Sequence, residues 1–324
     1  MPAPTGHDRA GVVADVGEFG LIEQVVSRFA MTPDVLLGPG DDAAVVAAPD
    51  GRVVATTDVL VEGRHFRRDW SSAREVGRKA AAQNLADVVA MGARPTALLV
   101  GLAVPADLPT AWALELAEGL AEECALVGAT VVGGDVVRAD TVVVTVTALG
   151  DLEGREPVTR SGAGVGDVVA LAGRLGWSAA GLAVLGRGFR SPRVLADAHR
   201  VPVPPYAAGR AAALAGATSM LDVSDGLVRD AGHLAAASGV VVALDTALLE
   251  IGGPVAEAAA AFNLDPLGWV LGGGEDHALL ATVPAGTALP EGFVAVGEVR
   301  AGEPGVLVDG AVYPGDPGHD HFAR

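Results

Sequence analysis

The chain has 324 residues, half of them apolar and 19% charged, with a formal net charge of −18. That length suits two domains and is long for one core. So acidic a balance excludes a nucleic-acid-binding surface, which needs clustered cations, yet admits an anionic ligand if divalent metal stands between.

The single cysteine, Cys124, excludes an intramolecular disulfide framework and fits a reducing interior. No apolar run reaches the roughly 20 residues of a bilayer span, so no membrane partner is expected. The first residues, MPAPTGHDRAG, lack the apolar stretch of a signal peptide and read as a flexible lead-in over 1–16. The expectation is a soluble, cytoplasmic α/β protein.

Phe19, Ile22, Val26 and Phe29 recur at helical spacing and predict a helix over 18–30. Residues 43–48 and 52–58 read as strands joined at PDG, a hairpin signal. A helix from Glu75 to Met91 follows, with Gly92 as its C-cap and Pro95 beyond. A buried strand at 96–104, a helix over 110–127 and strands at 129–133 and 141–149 complete a ββαβαββ domain. The Gly-rich, charged segment 150–167 reads as a linker. Beyond it, strands at 168–172, 218–223, 240–244, 278–283 and 294–299 alternate with helices near 178–187, 205–215, 226–238 and 254–262. The fold class is therefore α/β (α+β) in two domains, 17–150 and 151–324.

Acids recur where Gly or Thr stands beside them. Asp41 and Asp42 follow GPG, Asp58 closes VVATTD behind Thr56 and Thr57 at a strand's C-terminal end, and Asp135 sits in VVGGDVV. Asp222 and Asp225 lie in LDVSDG, and Glu275 and Asp276 in LGGGEDH. Several follow apolar strand-like runs, whose following loops form ligand crevices in α/β sheets. Taken singly, each acid reads as a turn or N-cap residue. As a set, oxygen-only donors suit a hard cation such as Mg²⁺, which also binds phosphate oxygens. Lys79, Gln83 and Asp87 form an i, i+4, i+8 stripe, which fits either a solvated helix face or a polar stripe turned toward a metal site. Ser224, Asp225 and Gly226 fall in the first turn of a helix after a strand, where free backbone N–H groups can hold phosphate. GGGEDHALL offers a similar turn. Phosphate with a hard cation points to nucleotide chemistry.

Other motifs fail. The one lysine, Lys79, lies in VGRKAA, so there is no P-loop, and no G-x-G-x-x-G or H-E-x-x-H occurs. In DVSDG, Asp222 stands where a nucleophile elbow needs its first Gly. HDH at 319–321 reads as a polar tail, and Cys124 as a buried, inert thiol.

In order, GEFGLI, GPGDDAAVV, TTDVLVEGRHF, NLADVVAMGARP, GGDVVRAD, TRSGAGVGD, LDVSDGL and GGGEDHALL resemble the thiamine-monophosphate kinase family over residues 17–322. That family lies in the superfamily of aminoimidazole ribonucleotide synthetase and selenophosphate synthetase. The resemblance implies the two-domain fold of that superfamily and a homodimer whose N-terminal domains join their sheets. It also implies several Mg²⁺ ions, with ATP and thiamine monophosphate as substrates. By motif, Asp42, Thr56, Thr57, Asp58, Asp87, Asp135, Asp222 and Asp225 match its Mg²⁺ ligands. Gly134, Arg160 and Ser224 match ATP-contacting positions, and His65 and Glu275 match positions that hold the thiamine phosphate. His319 stands where the family carries an aromatic against the substrate ring.

The implied reaction needs no acid–base residue, because a phosphate monoester with a second pKa of about 6 is already ionised near neutral pH. Two rivals remain at this stage. Another enzyme of the superfamily is one, although a selenophosphate synthetase would carry a reactive Cys near the N-terminus, and none is present. A non-catalytic nucleotide-binding regulator is the other, although a degenerate copy would have lost some of the oxygen ligands.

Overall fold

The computed structural model describes residues 11–40 and 43–319. Two compact units emerge: the described residues up to Val88 with Arg94–Gly154, and Val89–Ala93 with the residues from Arg155 onward.

The first unit contains α1 (Val13–Val26), β1 (Val35–Leu37), β2 (Val45–Val46), β3 (Val54–Val61), α2 (Ala73–Ala90, its last two residues belonging to the second unit), β4 (Arg94–Val104), α3 (Thr110–Ala125), β5 (Thr130–Arg138) and β6 (Val143–Asp151). Helix α1 begins earlier and ends earlier than its periodicity suggested, and breaks at Gly17, whose φ of 69° is non-helical. Of the expected lead-in, residues 1–10 lie outside the described residues, and 13–16 are helical.

The hairpin expected around PDG does not form. The turn is there, with the Gly51 N–H donating to the Ala48 carbonyl at 2.9 Å, but the strands it joins do not pair with each other. β2 pairs back to β1 in a small ribbon, and β3 pairs antiparallel with β6. The eight residues of β3 find a nine-residue partner in β6, whereas β2 offers only two. Ladder length decides.

The main sheet runs β3-β6-β4-β5. Only β4 and β5 are parallel, joined by the α3 crossover. Along β6, Val144, Val146 and Ala148 are buried, while Thr145 and Thr147 are partly open. Register carries this alternation across the sheet: Thr57, Thr147, Leu99 and Gly133 form one row, and Val59, Thr145, Gly101 and Asp135 the next. Val59, Leu99 and Val137 are exposed, so this face stays open.

Helices α2 and α3 cross at two glycines. A methyl group at Gly77 would overlap the Leu116 carbonyl, and one at Gly119 the Arg74 carbonyl. Arg78 clasps the buried Glu123 beside the crossing at 2.8 Å. Gly77→Ala is expected to lower the unfolding free energy by about 1–3 kcal/mol through overpacking. Urea unfolding of the two chains checks this, and coincident midpoints would mean the helices separate freely.

The second unit contains β7 (Val168–Ala172), α4 (Trp177–Gly186), α5 (Arg193–Arg200), α6 (Tyr206–Leu214), β8 (Ser219–Val223), α7 (Leu227–Ser238), β9 (Val241–Leu244), α8 (Gly253–Phe262), α9 (Pro266–Gly272), β10 (Ala278–Val283), β11 (Phe293–Arg300) and β12 (Gly305–Val308). Its sheet runs β12-β9-β11-β7-β10-β8, antiparallel except for β12 on β9. Both faces are covered. Leu227, Ala231 and Leu234 of α7 pack with Leu221, Val223 and Leu280 on one side. Ala208 and Ala212 of α6, with Val89 and Ala90, pack with Met220, Leu279 and Ala281 on the other. No helix among the described residues is long and apolar enough to cross a membrane.

Candidate functional site

In the first unit the strand β3 continues to Val61, so Asp58 lies within it and does not close it. Alternation then separates the TTD triplet. Thr57 turns to the open face, where it donates to the Val146 carbonyl at 2.9 Å and accepts from Thr147 Oγ1 at 3.1 Å. Thr56 turns the other way and donates to Asp87 Oδ2 at 2.7 Å. Asp58 shares the side of Thr56, and its carboxylate takes no hydrogen bond or ion pair among the described residues.

The Lys79–Gln83–Asp87 stripe faces inward: Lys79 is 2% exposed and Gln83 8%. A solvated face is therefore ruled out. Lys79 Nζ donates to the His65 carbonyl at 3.0 Å, and His65 Nδ1 accepts the Val61 N–H at 2.9 Å. The chain's one lysine thus ties the loop after β3, with His65 on it, to α2. Asp135 lies inside β5, not in a turn, and Oδ1 accepts the Val136 N–H at 2.9 Å. Register places it with Val59 and Thr145, in a row next to that of Thr57 and away from Asp58. Gly134 has a packing reason of its own, since a methyl there would overlap the Val100 carbonyl. Asp41 and Asp42 lie outside the described residues.

In the second unit, buried Asp222 lies next to the end of β8, with Oδ2 3.0 Å from His277 Nδ1. The segment entering β10 is laced to the turn after β8: the Glu275 N–H donates to the Ser224 carbonyl at 2.7 Å and the His277 N–H to the Val223 carbonyl at 3.1 Å. This lacing holds two non-glycine residues left-handed, Glu275 at φ 65° and His277 at φ 53°. The end of the chain returns to the same turn. The His319 N–H donates to the Asp225 carbonyl at 2.8 Å, so residue 319 is docked and not part of a free tail. Asp320 and His321 lie outside the described residues. Arg160 has an exposed side chain, and its carbonyl accepts from Ser238 Oγ at 3.0 Å.

The helix N-terminus proposed for phosphate is already occupied. Asp230 Oδ2, from the first turn of α7, accepts the Asp225 N–H at 2.9 Å and the Gly226 N–H at 3.1 Å. In GGGEDHALL, the N–H groups of Glu275 and His277 are likewise spent on carbonyls. Asp276 repeats the device at α4, accepting from Trp177 at 3.0 Å and Ser178 at 2.9 Å. An anion at a helix N-terminus satisfies orphan donors and suits the dipole, and here the chain supplies its own. Burial pushes the Asp230 carboxyl up to about 7, the N–H bonds opposing it and the charges of Asp222 and Asp225 adding to it. Burial also pushes Asp276 up to about 6, against its N–H bonds and Arg174.

Among the described residues, no group of three Asp, Glu, His or Cys side chains gathers closely enough to hold a metal ion. The donor chemistry within each unit nonetheless fits a hard cation. Asp58 and Asp225 are carboxylates without a protein partner among the described residues, and Asp222 is held in orientation by His277. Sequence reasoning missed Asp230, His199, Ser178 and His277. Only Asp230, five residues after Asp225, left a local trace.

Residues 40–152 match the family model described as AIR synthase related protein, N-terminal domain. With a second sheet-based unit following that domain in the sequence, the fold is of the two-domain AIR synthase-like class. A thiamine-monophosphate kinase of Mycobacterium tuberculosis is 50% identical over 310 residues, 95% of this chain and 92% of the relative. One from Corynebacterium glutamicum is 41% identical over 296 residues, 89% of this chain and 87% of the relative. A solved structure described as AaThiL complexed with AMPPCP and TMP has a TM-score of 0.78 at 33% identity, over 94% of this chain and 98% of that one. The chain belongs to the thiamine-monophosphate kinase family, and is accordingly a phosphotransferase.

Proposed function

We propose that the chain moves the γ-phosphoryl group of ATP directly to the phosphate of thiamine monophosphate, giving thiamine diphosphate and ADP. The observation that carries this reading is the near full-length likeness to a neighbour holding AMPPCP and TMP. Thr56, Asp58, Asp87, Asp222 and Asp225 would hold Mg²⁺, with Asp42, Thr57 and Asp135 carried by motif alone. Bound Mg²⁺ would offset the repulsion between two anions, on the order of 4 kcal/mol per unit pair at an intermediate dielectric. The acceptor phosphate needs no base. The helix ends support a cation, because Asp230 and Asp276 have taken N–H groups that could otherwise meet phosphate. Gly134, Arg160 and Ser224 are assigned to ATP, and His65, Glu275 and His319 to the thiamine phosphate. Lys79 holds the His65 loop in place.

We also propose a homodimer in which a second copy covers the open face of the first unit's sheet. The exposed Val59, Leu99 and Val137 support it, being apolar side chains on a sheet face that lacks a covering layer.

Incubation with ATP, Mg²⁺ and either thiamine or thiamine monophosphate tests the reaction. Diphosphate forms from the monophosphate only. Product from free thiamine, or none from either, overturns the assignment.

A further inference from the structure

We infer that His199 is a positioning residue that sets the Glu275 carboxylate for the thiamine phosphate, within a closed ring of contacts formed with Ser178 and Asp276. This rests on the reading of Glu275 as a substrate-holding residue.

The ring closes in four contacts. Asp276 Oδ1 accepts the Ser178 N–H at 2.9 Å. Ser178 Oγ lies 3.1 Å from His199 Nδ1. The same Nδ1 lies 3.3 Å from Glu275 Oε2. Glu275 and Asp276 are chain neighbours, so the ring returns to its start. Three separate elements contribute: the first turn of α4, the last turn of α5 and the segment entering β10.

The chemistry assigns the roles. The backbone of Glu275 is fixed by its N–H bond to the Ser224 carbonyl, and His199 Nδ1 meets its partly exposed side chain at the carboxylate. His199 is 8% exposed and cannot wander. An ionised carboxylate only accepts hydrogen bonds, so the contact with Glu275 selects the Nδ1–H form of His199. Ser178, 1% exposed, sets its Oγ beside the same Nδ1–H as a second acceptor. Both partners meet at one nitrogen. A serine nucleophile relay would need them at opposite nitrogens, so this is a clamp and not a triad. A carboxylate held in one rotamer suits an acceptor substrate with a cationic ring, because preorganisation lowers the ordering cost on binding.

Steady-state kinetics of the full chain tests the clamp. His199→Ala is expected to raise the KM for thiamine monophosphate roughly tenfold, the worth of one charge-assisted hydrogen bond, and to leave the KM for ATP unchanged. His199→Asn, whose amide N–H can stand in for Nδ1–H, restores most of the loss. In a Glu275→Gln background, His199→Ala adds little. The inference is overturned if His199→Ala moves both KM values alike, if folded His199→Asn is as impaired as His199→Ala, or if the two losses simply add. If Glu275→Gln raises the KM for thiamine monophosphate and His199→Ala does not, only the clamp falls. An unchanged KM in Glu275→Gln removes the substrate role of Glu275 itself, and the clamp with it.

Discussion

Asp58→Asn lowers turnover by about a hundredfold or more at saturating substrates, the scale of losing one preorganised charge at a reacting centre. The chain still folds as before. The Asp58 carboxylate has no protein partner among the described residues, so amidation breaks no internal contact. Its effect on stability should fall within about 0.5 kcal/mol, as for substitutions away from packed or paired groups. What it removes is a negative charge on the same side of β3 as the Thr56–Asp87 pair. A Mg²⁺ titration separates outcomes: the variant needs more Mg²⁺ for its residual activity. Full activity across the titration would take Asp58 out of the metal set.

Asp230→Asn carries the largest expected effect on stability, and its sign is set by protonation. With its carboxyl pushed up to about 7, folded Asp230 holds its proton more tightly than the unfolded chain does. The stability tied to that proton is present below about pH 4 and lost as pH rises through about 7. Asparagine cannot lose a proton in this range. Between about pH 5 and about pH 8 the parent chain should therefore lose roughly 3 kcal/mol more unfolding free energy than the variant. Denaturant unfolding in EDTA at the two pH values measures the gap. Mg²⁺ should shrink it, by offsetting the Asp222 and Asp225 charges that add to the upward shift. Parallel pH profiles would show that Asp230 does not titrate in this window.

The elements that were legible in the sequence share a feature: their signal is local. β7, β10 and α7 are apolar runs or stripes, and they lie almost where the pattern places them. α5 and α9 escaped, since eight residues between prolines and seven containing Pro and two Gly hold too little periodicity. Pairing was harder still. Nothing in VATTDVLV says that its partner is residues 143–150, and a turn signal beside it suggested a nearer one. Gly133 and Gly134 looked like a turn around Asp135 because spacing cannot tell a turn from two strands in close approach.

The site divides along the same line. Aspartates beside glycines could be singled out by residue type, and the ordered motifs gave them expected roles. Which side they face could not be read, because alternation within β3 sends Thr57 away from Thr56 and Asp58. The inward direction of the Lys79 stripe was equally hidden, since a buried ammonium and a solvated one share the same spacing. Contacts such as His199 with Glu275 exist only once the chain has folded.

Glu275 and His277, with their left-handed backbones, place a limit on how this molecule can be improved. A non-glycine residue in that conformation costs on the order of 1–3 kcal/mol, so glycine would relieve the tension at either place. It would also delete the carboxylate at one and the imidazole beside Asp222 at the other. Relief of backbone strain therefore competes with the proposed substrate role of Glu275 and with the His277–Asp222 contact.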